Sequence, residues 1–498
     1  MERPMSATAA EPVLYDPLSY LRANAAVRGD ALAVYDEGEE LSFDALLRAV
    51  LSLAADLRER GVEPGDVVAV ALPNVWRYVA LEVAVPAVGA TLLPLPISLG
   101  RLETEDAIAR SGASLVIGQS DHVEVVDAGE LDADGEPDDG PFAEPDPDRV
   151  VQIALTSGTT GRSKLAGLTA RLKQLTFEGF TSRLGLGPDD RMLPLSPITQ
   201  GAGEMCLYAL RTGAAMVMSH HTRFDADRSL ALAERTGTTV LGGVPTMIGR
   251  LLHAPALAGA DLGRLRATIS AGAPLSPTVA QEWEERTGSP TCSFYGAMDV
   301  GQLAVPSPDD PAEKRWTTVG RPHDRAELLI CDPGGNAVEP GEEGEICMRG
   351  PLVQPRYWSP TTPEDETPYS DDGWAHFGDL GRLDEDGYLH VTGRVKDTII
   401  RGGSNINPFE VEDVLRGSEA VQDVCVVGRP DEDLGERASA FVVPAPGSEP
   451  TLEELSAHLE EAGLTRYKWP ETLHLLDALP HGATGKVDRK GLRERAKS

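Results

Sequence analysis

Residues 150–164 read VVQIALTSGTTGRSK, and this stretch decides the kind of fold to expect. The apolar run 150–155 is typical of a buried strand in a parallel sheet. It leads directly into a loop whose two glycines permit tight turns and whose hydroxyls and Lys164 supply donors. Such a loop suits a polyphosphate; the alternative is a Ser/Thr-rich surface loop. It is not a Walker A loop, because Ser163 and Leu165 flank the lysine.

Outward from this stretch, strand and helix patterns alternate on both sides. Residues 46–57 carry apolar residues at helical spacing, and the apolar run 67–72 after a Gly/Pro turn indicates a buried strand. The alternation resumes over residues 180–310. Because parallel strands need crossover connections, the pattern predicts an α/β fold with parallel sheets.

The remaining segments have different patterns. Residues 326–349 and 388–401 are predicted to form short strands of a small β-barrel-like unit. The acidic, proline-containing segment 121–148 is predicted to be a solvated linker or surface loop. The last hundred residues resemble a compact α+β module, so the chain is expected to have more than one structural unit.

Composition excludes several classes of protein. The chain has 498 residues, with 45 Lys and Arg against 79 Asp and Glu, and a net charge of −34. Such an acidic chain is not expected to bind nucleic acid or an anionic membrane. Its five cysteines lack a CxxC pair, which indicates reduced thiols rather than a disulfide frame or a zinc site. With no secretory signal evident and the apolar stretch 79–96 broken by Glu82 and prolines, we expect a cytoplasmic protein.

Six motifs, in order along the chain, resemble those of the adenylate-forming (AMP-binding) superfamily, which includes acyl- and aryl-CoA synthetases. They are TSGTTGRSK (156–164), AGAPL (271–275), YGAMD (295–299), WAHFGD (374–379), GRVKD (393–397) and GKVDR (485–489). The resemblance implies that Mg·ATP and an organic acid form an acyl-adenylate and pyrophosphate. It also implies that the acyl group then passes to a thiol.

The resemblance assigns roles residue by residue. For ATP or AMP binding it implies Thr156, Ser157, Gly158, Thr159, Thr160 and Gly161 at the phosphates, Gly272, Ala273, Pro274, Tyr295 and Gly296 at the adenine, and Asp379 and Arg394 at the ribose or phosphates. Lys164 and Lys486 would be the catalytic lysines, and Asp299 a ligand of Mg²⁺. A flexible ammonium such as Lys486 can neutralise the carboxylate and the α-phosphate together.

The same resemblance predicts the domain organisation. Residues 1–393 would form the large domain for ATP and acid, 394–397 a hinge containing Asp397, and 398–498 a small hinged lid that carries Lys486. Gly402 and Gly403 would line a channel for the thiol of CoA, although an ordinary hairpin turn is the alternative. Asn407 before Pro408 indicates the first helix of the lid.

The chain departs from the family pattern in ways that bear on the acid. Met298 replaces a hydroxyl residue, Phe377 replaces a threonine, and Pro197 stands where an aromatic residue or histidine gates the acid pocket. A proline can neither swing as a gate nor donate a hydrogen bond. The predicted acid pocket contains Pro197, Ile198, Gln200, Gly201, Gly203, Glu204, Val244, Ser270, Ala297 and Met298.

Within that pocket, glycines leave room, and Gln200 and Glu204 would contact polar substituents unless their role is structural. This favours an aryl, cyclic or small organic acid. The leading hypothesis is therefore an AMP-forming acid–thiol ligase that uses ATP, Mg²⁺ and CoA. The alternatives are a carrier-protein phosphopantetheine or an amine as acceptor, an unusual acid such as nitrite, or a nucleotide-binding homologue without catalysis. The sequence leaves monomer and homodimer open.

Overall fold

The computed structural model describes residues 15–119, 124–138, 140–156, 164–199, 201–220, 223–297, 301–353, 358, 373–401, 404–431, 433–482 and 486–497. The chain forms two compact units. The first comprises residues 1–224, 297–302 and 351–367, and the second comprises 225–296, 303–350 and 368–498. No helix in the described part of the chain is long and apolar enough to cross a bilayer.

The first unit alternates strands and helices, as predicted. Its elements are α1 (Pro17–Arg28), β1 (Leu32–Asp36), β2 (Glu39–Ser42), α2 (Phe43–Glu59), β3 (Val67–Ala71), α3 (Trp76–Ala87), β4 (Thr91–Pro94), α4 (Arg101–Ser111), β5 (Leu115–Gly118), β6 (Val150–Thr156), β7 (Lys164–Thr169), α5 (Ala170–Leu184), β8 (Arg191–Pro194), α6 (Gly201–Cys206), α7 (Ala209–Thr212) and β9 (Ala215–Met218).

Two sheets organise this unit. One has the order β5-β3-β4-β6-β7 and is parallel except for the β6–β7 hairpin. In the other, β8, β9 and β1 are parallel and β2 pairs antiparallel with β1. The glycine-rich loop of the sequence therefore joins the two strands of an antiparallel hairpin. The expectation of parallel sheets is confirmed for the other strand pairs of these two sheets, except for β1 and β2, which are also antiparallel.

From residue 225 onward the chain continues with a second set of elements. These are α8 (Ala226–Thr236), β10 (Val240–Gly243), α9 (Pro245–Leu252), β11 (Ala267–Ser270), α10 (Pro277–Thr287), β12 (Thr291–Ser293), β13 (Tyr295–Ala297), β14 (Gly301–Val305), α11 (Ala312–Thr317), β15 (Arg321–Pro322), β16 (Glu327–Cys331), β17 (Gly344–Arg349), β18 (Ala375–Leu383), β19 (Leu389–Arg394), β20 (Ile399–Arg401), β21 (Ser404–Ile406), α12 (Pro408–Arg416), β22 (Val421–Asp431), β23 (Gly435–Pro444), α13 (Leu452–Glu461), β24 (Thr472–Leu475) and α14 (Arg489–Ala496).

Among the described residues from 225 onward, four groups of strands follow one another, one of which is the three-stranded sheet β13-β14-β15. Strands β10, β11 and β12 are parallel neighbours. Strands β16 to β19 form an antiparallel meander, where the sequence predicted the small β unit. A five-stranded sheet of order β21-β20-β23-β22, with β24 beside β23, forms the C-terminal module with α12, α13 and α14.

The acidic segment 121–148 is more than a linker. Its side chains Ala128, Leu131 and Ala133 are buried, and Ser52 on α2 donates a hydrogen bond to the Gly135 carbonyl oxygen over 2.8 Å. The described part of this segment is therefore a surface loop anchored on α2. Three of its apolar residues are buried, which its acidic composition did not indicate.

Candidate active site

Three side chains predicted to contact the nucleotide form one hydrogen-bonded group in the second unit. Asp379 on β18 and Arg394 on β19 are partners in the strand register, and Arg394 Nε lies 2.7 Å from Asp379 Oδ1. The Tyr295 hydroxyl donates to Asp379 Oδ2 over 2.7 Å. Because each carboxylate oxygen has two lone pairs, Asp379 retains acceptor capacity for further hydroxyl groups.

The turn after β11 brings a second set of predicted residues together. Gly272 has a φ of +88°, a left-handed conformation that favours glycine. A Cβ atom at this position would lie 3.6 Å from Lys486 Cε and 3.9 Å from Val244 Cγ1. The aliphatic part of Lys486 therefore passes beside the segment predicted to line the adenine. Ala273 and Pro274 are exposed in the same turn.

Ser270 ends β11 two residues before this turn. Its side chain is fully buried, and its Oγ has no hydrogen-bond partner among the described residues. A buried hydroxyl without a partner costs about 1–3 kcal/mol. Ser270 is thus a polar group that a bound ligand or water can satisfy beside Gly272.

Backbone hydrogen bonds fix the chain on both sides of Lys486. The Lys486 carbonyl oxygen accepts from the Gly482 amide over 2.8 Å, and the Asp488 amide donates to Pro480 over 2.8 Å. The Asp488 side chain then caps α14 by accepting from the Gly491 amide at 2.9 Å. The backbone at Lys486 is therefore held at the start of a capped helix, while its side chain is exposed.

Glu412 on α12, which the sequence analysis did not single out, anchors α14 through an ion pair. Arg489, the arginine of GKVDR, makes two bonds of 2.7 Å to the carboxylate of Glu412 on α12. Glu412 is 1% exposed and also accepts from the Val426 amide at 2.7 Å. The motif arginine thus links α14 to the core of the C-terminal module. The only signal in the sequence is a glutamate within the amphipathic pattern of α12.

The predicted hinge is bonded to α14 in this structure. Asp397 is buried and accepts from Arg493 Nη2 at 3.0 Å, and the same nitrogen donates to the Lys396 carbonyl oxygen at 3.1 Å. Burial, with Arg394 nearby, lowers the pKa of Lys396. Any rotation about residues 394–397 that separates them from α14 must break these bonds.

In the first unit, Lys164 begins β7 and pairs in register with Thr156 at the end of β6. The two residues form the base of the predicted phosphate loop. The other residues of that loop and several further predicted site residues lie outside the described residues: Ser157, Gly158, Thr159, Thr160, Gly161, Gln200, Met298, Asp299, Gly402 and Gly403. Their assigned roles stay predictions.

The predicted acid segment begins with a clamped turn. Asn74 donates to the Ser196 carbonyl oxygen at 3.0 Å and accepts from the Ile198 amide at 2.9 Å. These bonds leave Pro197 exposed and Ile198 fully buried. The position that departs from the family pattern therefore lies on a fixed turn, and Asn74 is a further residue that sequence reasoning missed.

The two glycines after this turn differ in the space that they leave. Around Gly201, which has a φ of +56°, no described atom lies within 4 Å of an added Cβ. At Gly203 an added Cβ would lie 2.2 Å from the Pro197 carbonyl oxygen. The prediction that Gly203 leaves room is therefore wrong, because backbone already fills that space.

Glu204 belongs to a buried ion network. Its Oε1 lies 2.9 Å from Lys173 Nζ and accepts from Gln152 Nε2 at 3.0 Å. Glu82 Oε1 lies 3.5 Å from the same ammonium, and all three charged residues are almost fully buried. This geometry favours the structural role that the sequence left open for Glu204. Through Lys173, the network connects α5 to Glu204 on α6 and to Glu82 on α3.

The network predicts a pH dependence of stability. Burial raises the pKa of Glu82 to about 7, against the opposing charge of Lys173. When the pKa of a carboxyl group is higher in the folded state than in the unfolded state, the group stabilises the fold fully at a pH below the unfolded-state pKa. This stabilisation is lost as the pH rises towards 7, the folded-state pKa of Glu82. We expect Glu82→Gln to flatten the fall in unfolding free energy between about pH 4.5 and 7, by roughly 2 kcal/mol.

Urea unfolding of the wild type and Glu82→Gln at several pH values checks this expectation. Glu178→Gln is the matched control on α5, because Glu178 is more exposed than Glu82. A pH profile of Glu82→Gln identical to that of the wild type would show that Glu82 does not titrate in this window.

The α/β fold and the bonded group around Asp379 have the arrangement predicted for a nucleotide-binding enzyme. The family model described as AMP-binding enzyme matches residues 21–358, and the model of the AMP-binding enzyme C-terminal domain matches residues 410–486. The chain belongs to the AMP-binding enzyme family, which confirms the adenylate-forming resemblance.

Individual relatives agree with this membership. A feruloyl-CoA synthase of Amycolatopsis sp is 36% identical over 93% of this chain and 96% of its own. A salicylyl-CoA synthase / salicylate adenylyltransferase of Streptomyces sp is 32% identical over 96% and 93%. The crystal structure of ATP-bound MatB from Rhodopseudomonas palustris is similar with a TM-score of 0.88, 27% identity, and coverage of 98% and 99%. The predicted enzyme class, an AMP-forming acid–CoA ligase, is confirmed.

Proposed function

We propose that this chain activates an aromatic or cyclic organic acid with Mg·ATP and transfers the acyl group from AMP to CoA. The observation that carries the proposal is the position of Lys486 beside Gly272, in a unit where Asp379 is bonded to Tyr295 and Arg394. These are residues that the motifs assign to the nucleotide and to the attacking acid.

The proposed chemistry follows from the charges involved. A carboxylate must approach an α-phosphate that carries the same sign of charge, so catalysis depends on positioning and on neutralisation. The ammonium of Lys486 supplies the positive charge, and Asp379 accepts the ribose hydroxyls. Mg²⁺ would neutralise the phosphates; its predicted ligand Asp299 lies outside the described residues.

The choice of an aromatic or cyclic acid has separate support. Two relatives are named as a feruloyl-CoA synthase and a salicylyl-CoA synthase / salicylate adenylyltransferase. On this chain, the turn that presents Pro197 is fixed by Asn74, and no atom of the described residues lies within 4 Å of a Cβ added at Gly201. A rigid turn at this position suits a flat or cyclic acid better than a flexible chain.

A pyrophosphate-release screen with and without CoA tests the proposal. The panel includes hydroxycinnamic, benzoic, alicyclic and fatty acids, α-amino acids and nitrite. We expect an aromatic or cyclic acid to stimulate release at least about tenfold more than a fatty acid, since 1.4 kcal/mol of better fit gives that factor. With CoA present, the matching acyl-CoA thioester should accumulate.

The other outcomes separate the alternatives. Strongest release with a fatty acid would overturn the acid class and leave the ligase reaction intact. An amide formed with an added amine, but no thioester with CoA, would assign a different acceptor. ATP binding without release for any acid would identify a homologue that has lost catalysis.

A further inference from the structure

A cluster of three potential metal ligands lies on the meander of the second unit. Cys347 on β17 and His376 on β18 are register partners, and Cys347 Sγ lies 3.4 Å from His376 Nδ1. Glu345, two residues before Cys347, places Oε2 at 3.1 Å from the same nitrogen. The carboxylate, thiol and imidazole ligand atoms all lie within 4.8 Å of one another.

Two of the three separations are close to those around a tetrahedral ion. Zinc bonds of about 2.3 Å to sulfur and about 2.0–2.2 Å to nitrogen and oxygen imply separations of roughly 3.4–3.6 Å between neighbouring ligand atoms. The two distances to His376 Nδ1 differ from these values by a few tenths of an ångström at most. The third separation, between the ligand atoms of Cys347 and Glu345, is at most 4.8 Å, so side-chain rotation would bring all three groups around one ion.

We propose that Glu345, Cys347 and His376 bind Zn²⁺ with a water molecule as the fourth ligand. Thiolate with imidazole is a ligand combination that selects zinc over magnesium or calcium. Cys347 is buried, whereas His376 and Glu345 are 34% and 27% exposed, so an ion can enter from solvent and keep a water ligand. On binding, the S–H bond breaks, a sulfur–zinc bond forms, and the proton leaves to solvent.

The surroundings hold the carboxylate in place. The Gly378 amide donates to Glu345 Oε1 at 3.1 Å, which leaves Oε2 facing His376. The register between β17 and β18 is irregular between Glu345 and Cys347, a feature that re-aims side chains. Because Gly378 immediately precedes Asp379, an ion here would also restrain the strand that carries the proposed ribose contact.

Titration of the whole protein with Co²⁺, as a spectroscopic probe for zinc, tests the site. We expect a cobalt–thiolate charge-transfer band that saturates at one equivalent and is displaced by Zn²⁺. Cys347→Ser should abolish the band, and His376→Asn should weaken Co²⁺ binding at least about tenfold. Cys425→Ser, which changes another buried cysteine in the C-terminal module, should leave the band unchanged.

A second measurement does not depend on the thiol. Zn²⁺ alone should raise the melting temperature of the wild type and of Glu178→Gln, and should raise that of Glu345→Gln much less. No saturable band in the wild type, or a band that persists in Cys347→Ser, would overturn the proposal. An equal Zn²⁺ effect on the melting temperatures of the wild type and Glu345→Gln would overturn it as well.

Discussion

Replacement of Lys486 by alanine is expected to lower the rate of adenylate formation by about 10²–10³-fold, the typical cost of one preorganised electrostatic contact to developing charge. The aliphatic part of Lys486 lies beside Gly272, and the backbone on both sides is fixed by hydrogen bonds. The substitution therefore removes the ammonium without releasing the segment. Acid-dependent pyrophosphate release measures the first half-reaction.

The second half-reaction provides the internal control for this variant. Thioester formation from supplied acyl-AMP and CoA should be spared, because the carboxylate is already activated. Lys490→Ala, which removes an exposed lysine four residues further on, should leave both half-reactions unchanged. Equal losses in both half-reactions of Lys486→Ala would show that the lysine is not specific to adenylation.

Replacement of Glu412 by glutamine is expected to have the largest effect on stability. Removal of this charge leaves Arg489 without its carboxylate partner in the C-terminal module and weakens the contact with Arg416. Loss of one partner of a buried ion pair costs about 3–5 kcal/mol. Calorimetry should show a lower melting temperature, and adenylation should fall because α14 no longer fixes the base of Lys486.

Glu410→Gln is the matched control on the same helix. Glu410 is paired with Lys468 at 2.6 Å, but it is 42% exposed. An exposed pair contributes about 0–1 kcal/mol, so this variant should melt close to the wild type. Similar melting temperatures for Glu412→Gln and Glu410→Gln would contradict the anchoring role of Glu412.

Much of the fold could be predicted because local patterns specify it. The apolar runs at 67–72 and 150–155 became β3 and β6, and the periodic segment 46–57 lies within α2. Asn407 caps α12 by accepting from the Phe409 amide at 3.1 Å, as its position before Pro408 predicted. Each of these signals lies within a few residues, so no tertiary contact is needed to interpret it.

Other features depend on residues far apart in the sequence. Glu82 counted against a membrane span, yet its role follows from Lys173, about ninety positions away. The proposed zinc ligands Glu345, Cys347 and His376 come from two strands and include no second cysteine, so cysteine spacing alone cannot indicate them. Gly203 was expected to leave room that the Pro197 backbone in fact fills.

By itself, the sequence determined the family, the alternation of strands and helices, and the enzyme class, because motifs and periodicity are local and contiguous. The domain boundaries at residues 393 and 398 and most roles of the site residues stay predictions. Only the tertiary structure decided that Tyr295 and Arg394 share Asp379, that Glu412 anchors Arg489, and that Lys173 lies beside two buried carboxyl groups. The physical reason is that a buried charge is costly without a partner of opposite charge or a hydrogen bond. Which residue becomes that partner depends on how the chain folds, because the two residues are far apart in sequence.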